Sequence, residues 1–497
     1  MNVLVANLAG VKVEADGSVK HYIKAGSRWP MTIGRSRSVD YYPFPFWLAY
    51  TSAVLKRDTK AAVQGLDGVV LDLTGDELLG EIASRRPDLL VVELASLTLA
   101  EDLDFLTKVK AATGCKTVVC GNYATVKHRE LVASHACIDF AVRGEYEFAV
   151  RDLVLALEAG QDPTDVLGLT WSDAKRGPDP VVENAPRPLL NDLDELPFPD
   201  RDDFPATIYP DFTLYSPCIN ILSSRGCPCG CVYCQERHVM YASPKYRARS
   251  AASVVDEMEY CQKRFGARQF YFDDQSFVVK KKHVMSICDE IIRRGLTVPW
   301  TVMGDAMFVD REMLEAMAKA GCIGMKFGVE SADQDILKAI GKPLDLEKAK
   351  KVATWCKELG IRTHATFCLG LPGETVATIE KSMAYMEEIE VDTAQVSKAV
   401  PYPGTPMYDW AVKNGYLTTT DLDRFDGMGT SIISYPGLDN HEIDRWYAIF
   451  SRRVARKKVL KYLFEPGQSF SIMAEMVRRK GLTSLLKSLY TFVRRAF

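Results

Sequence analysis

The sequence predicts an α/β protein with two parallel sheets in succession and a helical region after them. Three observations support this prediction. Apolar runs of strand length alternate with helix-length segments over the first ~155 residues. Prolines then interrupt the chain at residues 156–215, and about six further strand–helix units follow as far as residue 416. We therefore expect boundaries near residues 155, 215 and 416, with a helical region at 417–497.

The first 155 residues are expected to form a doubly wound parallel sheet. The apolar runs in this part have strand length, and they are residues 3–6, 69–72, 89–93, 117–120 and 140–142. Ligands of such sheets bind where the carboxyl ends of the strands meet loops, which here are residues 94–98, 121–125 and 143–147. No G-x-G-x-x-G motif follows the first run, which disfavours a dinucleotide as the ligand.

Residues 156–215 are expected to be a connector, because nine prolines forbid long regular elements there. The strand–helix alternation that resumes at residue 219 has too few units for a closed barrel of eight. Three strands of this second series end in polar or glycine-rich motifs, at residues 270–277, 325–331 and 367–375. A last strand is predicted at 393–397.

The most informative motif is a group of cysteines near the middle of the chain. Cys227, Cys231 and Cys234 are spaced C-x3-C-x2-C. Three thiolates on one short loop suit three irons of a [4Fe–4S] cube, and the fourth iron is then open to a small molecule. A zinc site with Cys229 as fourth ligand remains an alternative, although no second C-x2-C pair is present. A redox pair of Cys231 and Cys234 is the other alternative. Cys229 is interpreted as a bystander.

Two strand ends carry side chains that suit a small polar ligand. Asp273 and Asp274 follow one predicted strand, and paired acids suit a cation, a Mg²⁺ ion or a helix N-cap. Glu330 and Ser331 end another strand and offer the acceptor and the hydroxyl that a ribose diol needs. Taken alone, each pair is explained more simply as a helix cap.

The cysteine run 224–234, with the aromatic Tyr233 before the last cysteine, resembles the signature of the radical S-adenosylmethionine (SAM) superfamily. The strand-end motifs of residues 219–416 follow in the order typical of that superfamily. The resemblance implies a partial (β/α)6 barrel, with a [4Fe–4S] cluster that cleaves SAM to a hydrogen-abstracting 5′-deoxyadenosyl radical. The residues that it implies for SAM binding are Tyr233, Asp273, Asp274, Glu330, Ser331, Leu369 and Gly370.

The N-terminal part, placed ahead of such a barrel, resembles the Rossmann-like cobalamin-binding domain of B12-dependent radical SAM enzymes. That group contains the hopanoid-tailoring enzymes, the anaerobic Mg-protoporphyrin cyclase and several C- and P-methylases, and the similar segments are residues 26–30, 42–50, 191–199, 395–397 and 402–405. The resemblance implies cobalamin, with Ser96, Gly121, Asn122 and Glu145 lining a slot for its nucleotide tail. The D-x-H-x-x-G motif is absent, so we expect no histidine ligand below cobalt. A domain that binds no corrin is the alternative.

Two reactions are compatible with this resemblance. The first is cobalamin-dependent methylation of an unactivated carbon. The second is radical rearrangement, cyclisation or oxidation of a lipid-like or polycyclic substrate without methyl transfer. A cluster-bearing sensor without catalysis is the third and least favoured interpretation, because the SAM-contact strands would have no purpose. An enzyme of this kind takes its electron from a donor such as flavodoxin or ferredoxin.

Composition predicts a cytoplasmic protein with a basic tail. Thirteen cysteines in 497 residues, without a signal peptide, indicate a reducing compartment. From Arg452 to Phe497 the chain has twelve Lys and Arg residues against two Glu, although the net charge of the whole chain is −3. Residues 481–495 place apolar side chains on one helical stripe. This segment is predicted either to dock on the enzyme or to lie on a membrane surface, and nucleic-acid binding is less favoured.

Overall fold

The computed structural model describes residues 1–13, 17, 19–24, 30–34, 42–173, 180–209, 215–427, 429–464 and 477. The predicted amphipathic segment 481–495 and the similar segment 26–29 therefore lie outside the described residues. In the part of the chain that is described, no helix combines the length and the apolar character that a membrane span requires.

Among the described residues, ten strands lie ahead of the second series of strands. They are β1 (Asn2–Asn7), β2 (Val11–Val13), β3 (Val19–Lys24), β4 (Pro30–Gly34), β5 (Ala62–Asp67), β6 (Leu89–Glu93), β7 (Lys116–Cys120), β8 (Phe140–Val142), β9 (Leu169–Ser172) and β10 (Val181–Glu183). Seven of them form a sheet in the order β10-β9-β8-β7-β6-β1-β5, and β2, β3 and β4 form a small antiparallel sheet. The five strands β5, β1, β6, β7 and β8 are parallel and have the flavodoxin-like order, which confirms the predicted doubly wound sheet.

The prediction of a strand at residues 69–72 is wrong. The strand next to β1 is β5, and the chain turns immediately after it. The turn has a local cause, because Asp67 Oδ1 accepts hydrogen bonds from the backbone N–H groups of Val69 (2.9 Å) and Val70 (3.2 Å). The apolar run therefore follows the strand instead of forming it.

Five helices cover this sheet, namely α1 (Phe46–Asp58), α2 (Gly75–Arg85), α3 (Leu99–Thr113), α4 (Gly121–Ser134) and α5 (Glu147–Glu158). Helix α1 is buried over residues 46–52, because it lies between the sheet and the rest of the molecule. The sheet also differs from the prediction at its edge. Strands β9 and β10 come from the proline-rich segment and pair antiparallel with β8 and with each other. The connector therefore contributes an edge to the first sheet, and the predicted domain boundaries stay a prediction.

The second series of strands forms a six-stranded parallel sheet in the order β11-β14-β15-β16-β17-β18. Its strands are β11 (Cys218–Ile221), β14 (Gln269–Phe272), β15 (Trp300–Gly304), β16 (Cys322–Glu330), β17 (Arg362–Leu369) and β18 (Thr393–Lys398), and a short ladder β12 (Ser224–Arg225) with β13 (Arg247–Ala248) flanks the cysteine loop. Strands β11 and β18 are the two edges, so the predicted open barrel is confirmed. Along β17 buried residues alternate with partly exposed ones, which separates a helix-covered face from an open concave face.

The helices of this second part are α6 (Ala251–Phe265), α7 (Lys281–Arg294), α8 (Arg311–Lys319), α9 (Gln334–Ala339), α10 (Leu346–Glu358), α11 (Val376–Glu388), α12 (Pro406–Lys413) and α13 (Asn440–Phe464). Helix α13 packs on the barrel, since the ring of Phe450 lies 5.4 Å from that of Phe367. Lys457 Nζ donates to the carbonyl oxygens of Met386 (2.6 Å) and Ile389 (2.7 Å) at the end of α11. Helix α13 therefore confirms a C-terminal helix, which packs on the barrel, whereas the described residues between α12 and α13 form turns and isolated bridges with one short 3-10 turn.

Candidate functional site

The cysteine loop begins at the carboxyl end of β11. Its first residues are hydrogen-bonded to Asp274, which follows β14. Asp274 Oδ1 accepts hydrogen bonds from Ser223 N (3.0 Å), Ser223 Oγ (3.1 Å) and Ser224 Oγ (2.5 Å). The Asp274 carboxyl is fully buried, and burial raises its pKa to about 6. Asp273 beside it is also buried. The structure therefore connects Asp274 to the base of the loop, and the predicted contact of Asp273 and Asp274 with SAM stays a prediction.

The entry into the loop requires a glycine. Gly226 has a φ of +89°, and a Cβ atom at this position would overlap the carbonyl oxygen of Lys245. Its backbone N–H donates to Gln275 Oε1 at 2.9 Å. The side chain that follows Asp274 thus fixes the backbone just before Cys227.

The three predicted cluster ligands differ from Cys229 in their exposure. Cys227, Cys231 and Cys234 are partly exposed, whereas Cys229 is buried with its Sγ 3.6 Å from Met307 Sδ. The loop is held on its far side as well, since Val232 N donates to the carbonyl oxygen of Ile340 at 3.0 Å. No three His, Cys, Asp or Glu side chains in the described ranges are arranged to enclose a single metal ion.

The electrostatic environment disfavours free thiolates in the loop. Burial raises the pKa of Cys231 to about 11 and that of Cys234 to about 12, with contributions from neighbouring thiols. A hydrogen bond to Cys229 and burial raise the pKa of Cys227 as well. Metal ligation needs the thiolate form, so the charge of bound iron has to compensate this cost. The donor set, three thiols on one partly open loop, fits a cluster with one open iron.

A buried lysine between two acids faces the loop, and sequence reasoning missed it. Lys342 Nζ lies 3.2 Å from Glu330 Oε1 and 3.4 Å from Asp305 Oδ1. Burial lowers the pKa of Lys342, but the charges of Glu330 and Asp305 outweigh burial and raise it, and the Cys231 thiol contributes. The ammonium group is therefore charged next to the cluster loop. The only sequence signal was its place between Gly341 and Pro343, which gives no hint of burial.

The backbone at Glu330 is strained. Glu330 has a φ of +67°, and the pairing of β16 with β17 is irregular between Gly328 and Glu330. A non-glycine residue rarely takes this conformation, and such strain persists where the surrounding structure imposes it, often at functional sites. Tyr233 packs nearby, and burial together with the charge of Glu330 raises its pKa well above its ordinary value.

Residues 221–386, which contain the cysteine loop, Glu330 and Lys342, match the radical SAM superfamily. This chain carries a radical SAM domain. Its cofactors are therefore a [4Fe–4S] cluster and SAM, and it needs an external electron donor. The predicted [4Fe–4S] cluster and SAM are confirmed by this match, whereas the assignment of Cys227, Cys231 and Cys234 as the cluster ligands stays a prediction.

The radical SAM chain is similar to known proteins over most of its length. It is 28% identical over 385 residues to an uncharacterized methyltransferase of Pyrococcus horikoshii, which covers 77% of this chain and 81% of that one. It is 27% identical over 461 residues to the anaerobic magnesium-protoporphyrin IX monomethyl ester cyclase of Rubrivivax gelatinosus, with 89% and 78% covered.

A solved structure confirms the fold. TsrM from Kitasatospora setae, a radical SAM methyltransferase with cobalamin and a [4Fe–4S] cluster bound, matches with a TM-score of 0.63 at 21% identity. The match covers 84% of this chain and 76% of that one. The predicted order of a Rossmann-like domain followed by a radical SAM barrel therefore has a counterpart among known folds.

The other predicted SAM contacts of the radical SAM domain have partners within the protein. Ser331 is buried, and its Oγ accepts from Asp333 N at 3.2 Å in a local turn just before α9. Leu369 ends β17, and its carbonyl oxygen accepts from Ala399 N at 2.8 Å. Gly370 N donates to Glu374 Oε2 at 2.6 Å. The roles of Ser331, Leu369 and Gly370 in SAM binding stay predictions.

Glu330→Gln is expected to weaken SAM binding about ten- to hundredfold, the effect of losing one charge-assisted hydrogen bond. The substitution keeps the size of the side chain and leaves Asp305 to neutralise Lys342. Equilibrium dialysis under anaerobic conditions measures the affinity, and the iron content shows that the cluster assembles. Glu315→Gln, which replaces a half-exposed acid of α8 outside the predicted SAM contacts, is the matched comparison. Unchanged affinity in Glu330→Gln would place the SAM pocket elsewhere.

The free energy of unfolding of Glu374→Gln, relative to that of the wild type, is expected to increase as the pH rises from about 5 to 8. Burial raises the pKa of the Glu374 carboxyl from its ordinary 4.5 to about 8. Its contribution to stability is therefore complete below pH 4.5 and is lost as the pH rises through 8, by about 1.4 kcal/mol per pH unit. Glutamine cannot ionise and still accepts from Gly370 N–H. Urea unfolding from pH 5 to 9 tests this, and parallel pH profiles would contradict it.

The residues predicted to hold cobalamin lie at the carboxyl edge of the first sheet, as expected. Ser96 is buried in a short turn after β6, beside the point where the strand order reverses at β1. Gly121 has a φ of +92° at the start of α4. Asn122 Nδ2 lies 3.4 Å from Oε1 of Gln235, which follows Cys234 directly. Glu145 differs, because its carboxylate contacts two arginines of the barrel side.

A separate cavity of about 570 Å³ lies at the opposite edge of the first sheet. It is lined by residues at the amino-terminal ends of β7 and β8, among them Lys116 and Phe140, and by His135 and Trp171. None of the predicted site residues lines it.

Proposed function

We propose that this chain is a cobalamin-dependent radical SAM methyltransferase that acts on an unactivated carbon. The observation that supports this most directly is a contact between the carboxyl edge of the first sheet and the cysteine loop of the barrel. The carboxyl edge of the first sheet, at Asn122, contacts Gln235 next to the last cluster cysteine. A corrin on the first sheet would therefore lie next to the radical SAM site, where a methyl group is needed.

Two comparisons support the same proposal. TsrM, whose fold this chain resembles, holds both cobalamin and a [4Fe–4S] cluster. The relative from Pyrococcus horikoshii is also named a methyltransferase. The observed flavodoxin-like strand order fits a corrin tail at the reversal point beside Ser96, and Gly121 gives the tail room to pass close to the backbone.

Different residues of the chain have different roles in the proposed reaction. Cys227, Cys231 and Cys234 supply the three thiolates, and Asp274, Gln275 and Gly226 hold their loop. A [4Fe–4S] cluster held by these cysteines would supply the one electron, taken from the external donor, that cleaves SAM to methionine and a 5′-deoxyadenosyl radical. Glu330 and Lys342 form a buried charged pair beside the cysteine loop, which supports a role for them in binding the amino-acid or ribose groups of SAM.

The open concave face of the barrel positions the substrate. Its part-buried residues point away from the helices, and β11 and β18 leave the barrel open between them. The reacting C–H group has to lie within about 3–4 Å of the 5′ carbon, which is a requirement for positioning. Bound cobalamin would supply the methyl group.

Anaerobic reconstitution of the full chain with iron, sulfide, SAM and hydroxocobalamin tests the proposal. We expect corrin to stay bound through gel filtration and 5′-deoxyadenosine to form on reduction. We also expect bound cob(II)alamin to show no nitrogen splitting from a protein ligand. Formation of 5′-deoxyadenosine by a protein that retains no corrin would overturn methyl transfer and leave radical rearrangement as the leading function.

Gly121→Leu is expected to expel cobalamin while SAM cleavage remains measurable, because a bulky side chain at this positive φ blocks the path of the tail. Corrin content by absorbance and 5′-deoxyadenosine by chromatography give the two readouts. Gly160→Leu is the matched control for backbone strain, since Gly160 has a φ of +65° and a Cβ atom added there would meet no other atom within 4 Å. Equal loss of corrin in both variants would contradict the predicted slot.

A second function is favoured by the cyclase of Rubrivivax gelatinosus, which is a relative over 89% of this chain. Radical cyclisation or oxidation needs the same cluster and SAM contacts but no methyl transfer. The mass of the product separates the two, since methylation adds one CH₂ group and cyclisation or oxidation does not. We further propose a lipid-like or polycyclic substrate with peripheral membrane contact, which the basic and amphipathic pattern of residues 481–495 supports.

A further inference from the structure

A buried cluster of charged side chains joins the carboxyl edge of the first sheet to the short β12–β13 ribbon that flanks the cysteine loop. Arg225 Nη1 lies 3.1 Å from Glu145 Oε1, and its Nη2 lies 2.5 Å from Glu147 Oε1. Arg247 Nη1 lies 2.8 Å from Glu145 Oε2. All four residues are at most 7% exposed. We name these four residues the Arg225 clamp.

The two ends of the Arg225 clamp lie at the two proposed cofactor sites. Glu145 and Glu147 follow β8 at the carboxyl edge of the first sheet, where the corrin is proposed. Arg225 is two residues before Cys227, the first cluster ligand. Arg247 lies opposite Arg225 in the β12–β13 ladder, so both arginines belong to the same short ribbon. The ion pairs of Arg225 therefore link the carboxyl edge of the first sheet directly to the chain segment that carries Cys227.

The surroundings leave the clamp little freedom. The Arg225 guanidinium lies 5.3 Å from the ring centre of Tyr50, and that of Arg247 lies 5.1 Å from the ring centre of Tyr241. Glu145 Oε2 also accepts from Leu190 N at 3.0 Å. A guanidinium that binds two carboxylates at once accepts only a narrow range of orientations.

A buried ion cluster is weak evidence for stability, because desolvation offsets much of the attraction. Its more specific property is geometry, since Arg225 contacts Glu145 and Glu147 at once, and this pair of contacts restricts the position of the β12–β13 ribbon relative to the first sheet. Hydrophobic contacts between the sheets would tolerate small shifts. Catalysis tolerates them less, as a misplacement of about 1 Å costs roughly a hundredfold in rate.

We propose that Arg225, Glu145, Glu147 and Arg247 are positioning residues that fix the distance and orientation between the cluster loop and the corrin-bearing edge. This proposal rests on the proposed function, because the second cofactor is taken to be cobalamin. It gives Glu145 a role that differs from the predicted one of lining the nucleotide-tail slot.

The test uses Arg225→Lys, which keeps the charge and loses the planar fork, and Glu147→Gln, which removes one carboxylate charge. The full chain is reconstituted with the cluster and hydroxocobalamin, and pulsed electron paramagnetic resonance measures the distance between the reduced cluster and cob(II)alamin. We expect a narrow distance distribution in the wild type and a shift or broadening of about 1 Å or more in both variants, with unchanged iron and corrin content. Arg311→Lys, on a surface ion pair of α8, is the control.

Amide hydrogen exchange on the same proteins gives a readout that does not need corrin. Loss of the clamp should speed exchange in residues 143–147 and 223–230 together, and leave β6 and β16 unchanged. A distance distribution and an exchange pattern equal to those of the wild type in both variants would overturn the proposal. A wild type that binds no corrin would overturn the proposed function. In that case, faster exchange of residues 143–147 and 223–230 in the two variants would still support the role of the clamp in fixing the cluster loop, and unchanged exchange would overturn it. Faster exchange throughout the protein would assign the clamp to stability only.

Discussion

Serine at Cys227, Cys231 or Cys234 is expected to abolish SAM cleavage. Each thiolate is assigned to a different iron, so no remaining protein ligand of the loop replaces it. The variants should lose the electron paramagnetic resonance signal of the reduced cluster and form no 5′-deoxyadenosine above background. Iron and sulfide content after anaerobic reconstitution measures the same loss directly.

Cys229→Ser is the matched control, because it lies in the same loop and has the same chemistry. Its thiol is buried against Met307 Sδ at 3.6 Å, whereas the three assigned ligands are partly exposed. We therefore expect Cys229→Ser to keep the cluster and SAM cleavage nearly intact. If it behaves like the other three variants, a site with four thiolates replaces the open iron, and SAM loses its place on the cluster.

The fold was largely predictable because apolar runs in parallel sheets are buried on both faces. The runs 89–93, 117–120 and 140–142 fall in strands β6, β7 and β8, and every residue of these runs is buried. The run 69–72 failed because hydrophobicity does not show that Asp67 turns the chain with its side chain. The edge strands β9 and β10 were missed because prolines next to them outweighed their short apolar patterns.

Candidate ligands could be predicted where they are close together in the sequence. Contacts between residues that are far apart in the sequence could not. The spacing of three cysteines is local information, and it led to the cluster. The ion pairs of Lys342 with Asp305 and of Arg225 with Glu145 join residues 37 and 80 positions apart. No local pattern reports such pairs. Asp274 was identified as a strand-end acid, yet its partners are Ser223 and Ser224, about 50 residues earlier in the chain, which only the fold reveals.

Glu257→Gln is expected to destabilise the protein by about 3–5 kcal/mol, which is the cost of breaking a buried ion cluster from one side. Glu257 on α6 is fully buried and binds two arginines, with its Oε1 2.6 Å from Arg201 Nη2 and its Oε2 in close contact with Arg249 Nη1. The variant leaves two buried guanidinium groups without their shared charge. Glu315→Gln, which breaks a half-exposed pair with Arg311, should cost at most about 1 kcal/mol.

The pH dependence distinguishes the loss of charge from a loss of packing. Burial raises the pKa of the Glu257 carboxyl, but the charges of Arg249 and Arg201 outweigh burial and hold it below its ordinary 4.5. Its contribution to stability is therefore present above pH 4.5 and is lost as the pH falls through the lower, native-state pKa. Urea unfolding at several pH values should show the wild type and Glu257→Gln converging below pH 4.5. A difference that stays constant into acid would mean that the glutamine disturbs packing, and that the two arginines are neutralised by other groups.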